Sequence, residues 1–222
     1  MLDADAALAQ VQAVQPRSGG GRSETVALVE ALGRVLAHPV VAAVDSPPFD
    51  KAAMDGYAVL AAEAGESLAV VETIAAGQVP RRAVRAGQAS KIMTGAMLPE
   101  GARQVVRVEY TEERDGRELI RQPEPYDNVI RRAENLRAGQ PLLSPRVLEP
   151  QDIGVLASQG IGVVEVAVPP LVGILTTGSE LASPGEALRP GQIYNSNGPQ
   201  LCAQVAAMRG RQRYYGLVPD DP

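Results

Sequence analysis

The feature that most constrains the fold of this chain is a series of short β-branched runs between residues 40 and 131, separated by Gly, Pro and Asp. The runs read VVAAV, YAVL, LAVVETI, KIM, VVRVE, ELIR and NVIR. Short runs bounded by turn residues are typical of strands in an all-β domain. The spacing therefore predicts a β-rich domain of about eight strands or fewer.

Helical spacing precedes these runs. Residues 4–15 predict one helix and residues 25–38 a second, with Ser23 as the cap of the second helix. Between them, the stretch PRSGGGRS predicts a glycine-rich turn. An apolar stripe marks the second helix as half-buried, and its members are Val26, Val29, Leu32 and Leu36.

Helix and strand patterns also follow the runs. The stretch EPQDIGVLASQG predicts a helix with Pro150 early and Gly160 at its end, and residues 163–168 predict a strand. LVGILTTG predicts a buried parallel strand, NSNGPQLCAQVAAMRG a helix beginning near Pro199, and YYGLV a second strand. Ligands gather at the carboxyl ends of strands in such sheets, so the loop TTGSEL is expected at a ligand site.

Composition disfavours several classes of protein. Hydrophobic residues make up 45% and charged residues 21%, which is typical of a folded globular chain. The net charge of -5 lacks the basic excess that nucleic-acid binding requires. No apolar stretch approaches the ~18 residues of a membrane span, and the acidic start MLDADAALAQ is unlike a signal peptide. We therefore expect a cytoplasmic protein with no nucleic-acid or membrane partner.

Few side chains suit a transition metal. Cys202 is the single cysteine, so an internal disulfide is excluded, and His38 is the single histidine. A site built from imidazole and thiolate ligands is therefore disfavoured. Any metal is expected to be held by oxygen.

Two candidate residues for chemistry lie within the β-rich region, and each has a structural alternative. In FDKAAMDGYAV, Asp55 is either a functional acid or part of a tight Asp-Gly turn. In KIMTGAML, Thr94 either donates a hydrogen bond to an oxyanion or shapes a turn.

Two further candidate stretches lie near the end of the chain. In TTGSEL, Gly178 would allow close approach of a ligand, while Glu180 either binds Mg²⁺ or faces solvent or caps a helix. A Glu180 buried at a strand end would need a metal or an ion-pair partner. The amides around Asn195, Ser196 and Asn197 either bind an anion such as phosphate at a helix start or cap that helix.

Taken together, long motifs in fixed order resemble the molybdopterin molybdenumtransferase family, which includes the MoeA proteins and the gephyrin E domain. The resemblance spans nearly the whole chain. Its motifs are SPPFDKAAMDGYAV, AAGQ, KIMTGAMLPEGA, VVRVEYTE, NVIRRAEN, DIGVLASQGI, ILTTGSEL and PGQIYNSN.

The resemblance implies a multidomain fold of the α+β and α/β classes. An elongated helical dimerisation domain would comprise residues 1–44 and 137–169, and a β-rich inserted domain residues 45–136. Residues 170–222 would form an incomplete α/β domain of the molybdopterin-binding type, because the family's later SGG-containing loop, its lysines and its final β-barrel are absent. The family's cleft lies between the β-rich domain of one subunit and the α/β domain of the other.

The resemblance also implies a role in molybdenum cofactor biosynthesis. Family members insert molybdate into adenylylated molybdopterin and release AMP, with Mg²⁺ as cofactor. Asp55, Thr94 and Glu180 match catalytic positions, with Asp55 and Glu180 as metal ligands and Phe49 and Tyr57 packing the turn that holds Asp55. The implied partners are a second copy of the chain and the adenylyltransferase that supplies the substrate. The expected substrate-binding residues are Gly178, Ser179, Asn195, Ser196 and Asn197.

Three departures from the family pattern keep a second function open, and the largest is the missing later part of the family's sequence. Lys51-Ala52 replaces an Asn-Ser pair, which removes a hydroxyl and adds a cation. Ala133-Glu134-Asn135 replaces a Gly-Glu-Asp segment whose aspartate faces the cleft, and neighbouring Glu134 is a candidate source of the missing charge. The alternative is a non-catalytic dimeric scaffold or ligand-binding fragment of the same family.

Overall fold

The computed structural model describes residues 3–14, 21–61, 64–218 and 220. Within them the chain is β-rich, with three α-helices and two 3₁₀ turns, Leu28–Glu30 and Val108–Tyr110. In chain order the elements are α1 (Ala4–Ala13), β1 (Ser23–Ala27), β2 (Val40–Val41), β3 (Lys51–Ala52), β4 (Gly56–Val59), β5 (Ser67–Ile74), β6 (Gln88–Ile92), β7 (Gln104–Arg107), β8 (Thr111–Arg114), β9 (Arg117–Ile120), β10 (Val129–Ile130), β11 (Pro141–Leu143), α2 (Pro150–Ser158), β12 (Val163–Ala167), β13 (Leu171–Thr177), β14 (Leu181–Ala182), β15 (Ile193–Tyr194), α3 (Asn197–Ala207) and β16 (Arg211–Val218).

The described residues divide into two compact units. The first comprises Met1–His38, Pro145–Ile153 and Gly162–Pro222, and the second comprises Pro39–Ser144 and Gly154–Ile161. The predicted β-rich insert, 45–136, falls inside the second unit. The proposed division into three domains stays a prediction.

A six-stranded sheet forms most of the second unit, in the order β7-β4-β6-β5-β9-β8. All its pairs are antiparallel except β5 with β6. Successive side chains of a strand point to opposite faces, so Ala58 joins one apolar cluster while Tyr57 and Val59 join the other. The prediction of a β-rich region is confirmed.

The predicted helix over residues 25–38 is wrong. Ser23 does not cap a helix but begins β1, which pairs antiparallel with β12 over all five of its residues. The β-branched Thr25 and Val26 suit a strand, and this ladder satisfies their backbone groups. Of the predicted stripe, Leu36 is buried whereas Val29 is 86% exposed, so the spacing did not mark one face of a helix.

The other helix predictions fare better. The first helix is α1, which ends at Ala13, and the end of its predicted range, Gln15, lies outside the described residues. Most of the predicted turn PRSGGGRS also lies outside them. The helix predicted from EPQDIGVLASQG is α2, which starts at Pro150, and Gly160 follows its end with φ 73°. Proline at the start and glycine after the end confirm both predicted boundaries.

The predicted parallel strand pair is present in the first unit, where β13 and β16 run parallel and α3 connects them. The helix begins at Asn197, two positions before the predicted start. Of the seven residues of β13, only Ile174 and Thr176 are buried, so the strand is less buried than its apolar sequence predicts. Among the described residues, β13 has a single hydrogen-bonded neighbour strand, which leaves much of its surface uncovered.

Gly33 marks a close contact within the first unit. Its φ of 71° is unfavourable for other residues, and a Cβ atom there would collide with the guanidinium group of Arg209. Arg209 also donates from Nη1 to the carbonyl oxygen of Leu32 at 2.9 Å. The positive φ therefore favours glycine at position 33, and a larger residue there would in addition displace the Arg209 side chain.

Candidate functional site

Asp55 and Thr94 form the core of the candidate site in the second unit. The backbone nitrogen and the hydroxyl of Thr94 both donate to Oδ1 of Asp55, each at 2.7 Å. Both residues are exposed. Among the hydrogen bonds of the described residues, Oδ2 of Asp55 accepts none. That oxygen is therefore available to a ligand.

The turn after β6 presents Thr94 to Asp55. Ala96 donates its backbone N–H to the Met93 carbonyl at 3.0 Å, and Gly95 between them has φ 79°. This is the geometry of a type II turn, whose third position favours glycine. Thr94 therefore shapes a turn, which was one of its two predicted roles, and its side chain also contacts Asp55. The Thr94 hydroxyl has one proton, and Asp55 already accepts it.

Asp55 itself does not sit in a tight hairpin turn. The next residue, Gly56, begins β4, and a Cβ there would collide with the carbonyl oxygen of Val106 on β7. The Asp-Gly pair thus reflects close strand packing. The two hydrogen bonds from Thr94, first the backbone N–H and then the hydroxyl, lower the pKa of Asp55. Asp55 is therefore a carboxylate at neutral pH.

Tyr57 packs into the sheet behind this turn. It is buried against Val59, Val106 and Ile120 on one face of the sheet. Burial, followed by a hydrogen bond to Glu118, raises the pKa of Tyr57 to about 12. Phe49 is half-buried. Tyr57 thus anchors the strand that follows Asp55.

The predicted ligand loop of the first unit follows β13. Gly178 has φ 146°, and Ser179 donates its backbone N–H to Oδ2 of Asp220 at 3.3 Å. Glu180 is exposed, so solvent can stabilise its charge and the condition of burial, which would have required a metal or an ion-pair partner, is not met. The predicted roles of Gly178, Ser179 and Glu180 in binding stay predictions.

Asn195 is buried, and its side chain joins three elements. Its Nδ2 donates to Oγ1 of Thr176 at 2.9 Å and to the hydroxyl of Tyr214 at 2.8 Å. Its Oδ1 accepts the backbone N–H of Gly198 at 3.1 Å, which caps the start of α3. The capping alternative is therefore realised by Asn195. Ser196 and Asn197 are exposed, and their predicted contact with substrate stays a prediction.

The segment that departs from the family pattern forms a tight turn. Ala133 adopts φ 58°, a conformation that favours glycine, and donates its backbone N–H to the Pro47 carbonyl at 2.9 Å. Glu134 accepts the backbone N–H of Arg131 at 2.8 Å. The Glu134 carboxylate thus helps to close the turn, and Asn135 follows it on the surface.

The predicted metal ligands belong to different units: Asp55 to the second and Glu180 to the first. No group of three or more His, Cys, Asp or Glu side chains among the described residues is arranged to hold a metal ion.

No helix in the described ranges is long and apolar enough to span a membrane.

Asp50 was missed by the sequence reasoning, although it lies in the same stretch as Asp55. It accepts the backbone N–H of Arg132 at 2.7 Å and pairs with Arg131 at 3.3 Å. Its partners Arg131 and Arg132 are 81 and 82 residues away along the chain, so no local sequence pattern could predict these contacts.

The family described as the MoeA N-terminal region, domains I and II, matches residues 2–160. The chain belongs to the MoeA family. Asp55, Thr94 and Asn135 all lie inside the matched region. The resemblance inferred from the motifs is confirmed.

Relatives named molybdopterin molybdenumtransferase share substantial identity with the chain. The Nostoc sp. protein is 38% identical over 209 residues, covering 90% of this chain and 48% of the relative. The Bacillus subtilis protein is 35% identical over 214 residues, covering 90% of this chain and 50% of the relative. The chain thus spans about half the length of the curated relatives it matches.

Solved MoeA structures share the fold. A molybdopterin biosynthesis MoeA protein from Pyrococcus horikoshii superposes with a TM-score of 0.87 at 33% identity, covering all of this chain and 58% of that protein. A second structure from this organism gives a TM-score of 0.81 at 37% identity, covering 90% of this chain and 56% of that protein. The β-rich architecture with three described helices is therefore a MoeA architecture.

Proposed function

We propose that the chain acts in molybdenum cofactor biosynthesis as part of a molybdopterin molybdenumtransferase. The reaction inserts molybdate into adenylylated molybdopterin and releases AMP, with Mg²⁺ as cofactor. The names of the Nostoc and Bacillus relatives support the reaction class. The observation that carries the assignment is the Asp55 carboxylate, which Thr94 holds through one oxygen while the other accepts no hydrogen bond among the described residues.

The chemistry of Asp55 fits a hard cation. Mg²⁺ prefers oxygen ligands and is typically held by one or two carboxylates together with substrate phosphates and water. Oδ2 of Asp55 offers one such ligand, and the exposed Glu180 carboxylate would offer another in the shared cleft that the family resemblance implies. The bound ion would compensate the negative charge of the phosphoryl oxygens. Without it, two carboxylates would repel the substrate.

Thr94 is assigned to orienting Asp55. Because its single hydroxyl proton is donated to Asp55, Thr94 has none left to donate to molybdate or to a phosphate oxygen. Its oxygen lone pairs remain available to a cation or to a water molecule. Lys51, which replaces the family's asparagine, adds a cation to the segment that precedes Asp55 and would favour an oxyanion.

The proposal includes a homodimer formed through the dimerisation domain that the resemblance implies, residues 1–44 and 137–169. Its support is exposed apolar surface at Val29, Leu32 and Val35, which are 86%, 49% and 44% exposed. Size-exclusion chromatography with light scattering should give twice the chain mass.

The same proposal includes a cytoplasmic location and an adenylyltransferase that supplies the adenylylated molybdopterin.

The second candidate is a non-catalytic scaffold or ligand-binding fragment of the same family. The observation that favours it is Asn135, an amide where the family has an aspartate. An amide carries no charge to bind a metal. The two candidates differ in whether AMP is released.

The test is Asp55→Asn, with Asp115→Asn as a matched control. Asp115 lies in the turn between β8 and β9 with φ 54°, which asparagine tolerates well. Each change is made in the chain joined to the second half of the Bacillus subtilis relative, and molybdate-dependent AMP release is measured. Asp55→Asn should lower release by at least about 100-fold, which is the size of effect seen when one preorganised group that stabilises a transition state is removed. Asp115→Asn should leave it unchanged.

Binding to the 222-residue chain gives a second measurement that does not require turnover. Calorimetry should show Mg²⁺-dependent binding of adenylylated molybdopterin that Asp55→Asn weakens. Ligand binding without AMP release by the joined protein would favour the non-catalytic candidate.

A further inference from the structure

Strand β3 connects two segments that carry candidate site residues. On one side, Gly95 donates to the Ala52 carbonyl at 2.9 Å and Ala52 donates to the Ala96 carbonyl at 3.0 Å. These bonds hold the turn that contains Thr94. On the other side β3 pairs antiparallel with β10, which leads directly into the turn of Ala133 and Asn135.

Asp50 precedes β3 and contacts both flanking segments. Its backbone carbonyl accepts the N–H of Leu98, beyond the Thr94 turn, at 2.9 Å. Its Oδ1 accepts the backbone N–H of Arg132 at 2.7 Å, and its Oδ2 accepts from Nη1 of Arg131 at 3.3 Å. One residue therefore joins three segments that are distant in sequence.

Arg131 is itself held in place. Its Nη2 lies 2.7 Å from Oδ2 of Asp127, and its backbone N–H donates to Glu134 at 2.8 Å. The hydrogen bond to Asp127, and then the bond to Asp50, raise the pKa of Arg131. Hydrogen bonds between charged groups are shorter and stronger than neutral ones, so this arrangement resists displacement.

We propose that Asp50 is a positioning residue for the Asp55–Thr94 pair, because its carboxylate fixes the Asn135 turn against β3 and β3 in turn holds the Thr94 turn. An effect of Asp50 on catalysis rests on the proposed function. The connection from the Asp50 carboxylate through β3 to the Thr94 turn does not. A site residue must be held within a fraction of an ångström by the residues behind it. Asp50 supplies that support.

The competing explanation is an ordinary surface ion pair. The side chains of Asp50 and Arg131 are 41% and 46% exposed, and exposed pairs contribute little to stability. An isolated surface pair would affect only its own partners. A positioning residue would also affect the backbone N–H of Thr94, which does not contact the Asp50 side chain.

Amide hydrogen exchange by NMR on the 222-residue chain distinguishes the two. In Asp50→Ala, the N–H groups of Arg132 and Thr94 should both exchange at least about tenfold faster. Arg132 loses its charged acceptor, whereas Thr94 keeps its acceptor Asp55 but loses the support of its turn through β3. The N–H of Ile120, bonded to the Glu66 carbonyl at 2.9 Å in the buried sheet, monitors global stability and should change less than about twofold. Asp50→Asn keeps an acceptor for Arg132 and should restore most of the protection.

Asp45 provides the matched control. It accepts the N–H of Ala138 at 2.9 Å and pairs with Arg132 Nε at 2.6 Å, but its side chain has no bond, within the part of the chain that the structure describes, to the Thr94 side of β3. Asp45→Ala should accelerate exchange at Ala138 and leave Thr94 within about twofold.

Unchanged exchange at Thr94 in Asp50→Ala would overturn the proposal, and so would equal acceleration at Thr94 and Ile120. These results are independent of AMP release. Faster exchange at Thr94 combined with an inactive joined protein would refute the proposed function alone.

Discussion

Asp55 and Thr94 are joined by two hydrogen bonds that end on the same carboxylate oxygen, each 2.7 Å long. One residue supplies both donors. The arrangement fixes the orientation of the carboxylate without using its second oxygen, and it lowers the pKa of Asp55. It therefore combines a defined geometry with a negative charge at neutral pH.

Thr94→Val should raise the pKa of Asp55 toward its ordinary value, because valine preserves the shape of threonine but removes the hydroxyl donor. The stabilising effect of a carboxyl with a lowered pKa is present above its ordinary pKa and is lost as pH falls through the lowered value. The variant should lose stability at neutral pH and show a weaker fall in stability on acidification. Carbon-detected NMR titration of Asp55 checks the shift, and Thr94→Ser, which retains a hydroxyl, should restore most of it. An unchanged titration would refute the role of the hydroxyl.

Asn195 and Asn197 should respond differently to truncation. Asn195→Ala should destabilise the chain by about 2–4 kcal/mol, since it removes three hydrogen bonds from a buried amide and leaves the buried Thr176 hydroxyl and the Tyr214 hydroxyl with fewer partners. Asn197→Ala, at an exposed position, should cost less than about 0.5 kcal/mol and weaken binding of the substrate. Urea unfolding and calorimetry measure the two effects. Equal stability of both variants would contradict the assignment.

Glu124 is a buried carboxylate, and its charged partner among the described residues is Arg107. Burial raises its pKa, but hydrogen bonds from Arg107 and Asn128 outweigh burial and leave the pKa lowered. Arg107 reaches both carboxylate oxygens, at 2.8 and 2.9 Å. Glu124→Gln should therefore cost about 1–3 kcal/mol at pH 7, and the difference should shrink as pH falls through the lowered pKa.

Urea unfolding at pH 7 and at a series of lower pH values, continued well below the ordinary pKa of glutamate, measures this dependence. Glu112→Gln is the control, because Glu112 and Arg121 form an exposed pair 3.6 Å apart that should contribute less than about 1 kcal/mol. A Glu124→Gln cost that is independent of pH would show that the loss of an acceptor oxygen for Arg107, not the loss of charge, determines the effect.

Ala133→Gly should stabilise the chain by about 0.5–1 kcal/mol. At φ 58° alanine pays a steric cost that glycine does not, and this gain exceeds the extra freedom of glycine in the unfolded chain. Ala86, an exposed residue without a positive φ, is the control, and Ala86→Gly should be neutral or destabilising. Thermal unfolding of the two variants should move in opposite directions or differ by several degrees.

Local pattern predicted those elements whose own residues determine them. Pro150 starts α2 and Gly160 follows its end, so both boundaries are set by residues at the boundary itself. The apolar run of β13 likewise lies within the strand that it predicts. Residues 23–27 were misread because Ser-Glu-Thr-Val-Ala fits a helix cap with an apolar stripe as well as it fits a strand. The partner that decides the matter, β12, lies far along the chain.

The residues of the candidate site were predicted from the sequence, but the hydrogen bonds between them were not. Asp55 and Thr94 were identified through the motifs that contain them, yet their direct hydrogen bonding depends on how β4 and β6 pair. The exposure of Glu180 and the linkage through Asp50 depend on tertiary packing in the same way. Sequence spacing holds no information on either.

The contact between Gly33 and Arg209 makes the two positions interdependent in evolution. Gly33→Ala would be tolerated less well while Arg209 fills the adjacent space, and shortening Arg209 would remove that part of the penalty but not the part due to φ. The two changes should therefore be non-additive when combined. Among MoeA relatives, a residue other than glycine at position 33 is expected more often where position 209 carries a small side chain, because a long side chain there would have to move away. Substitutions at these two positions should accordingly appear as a correlated pair.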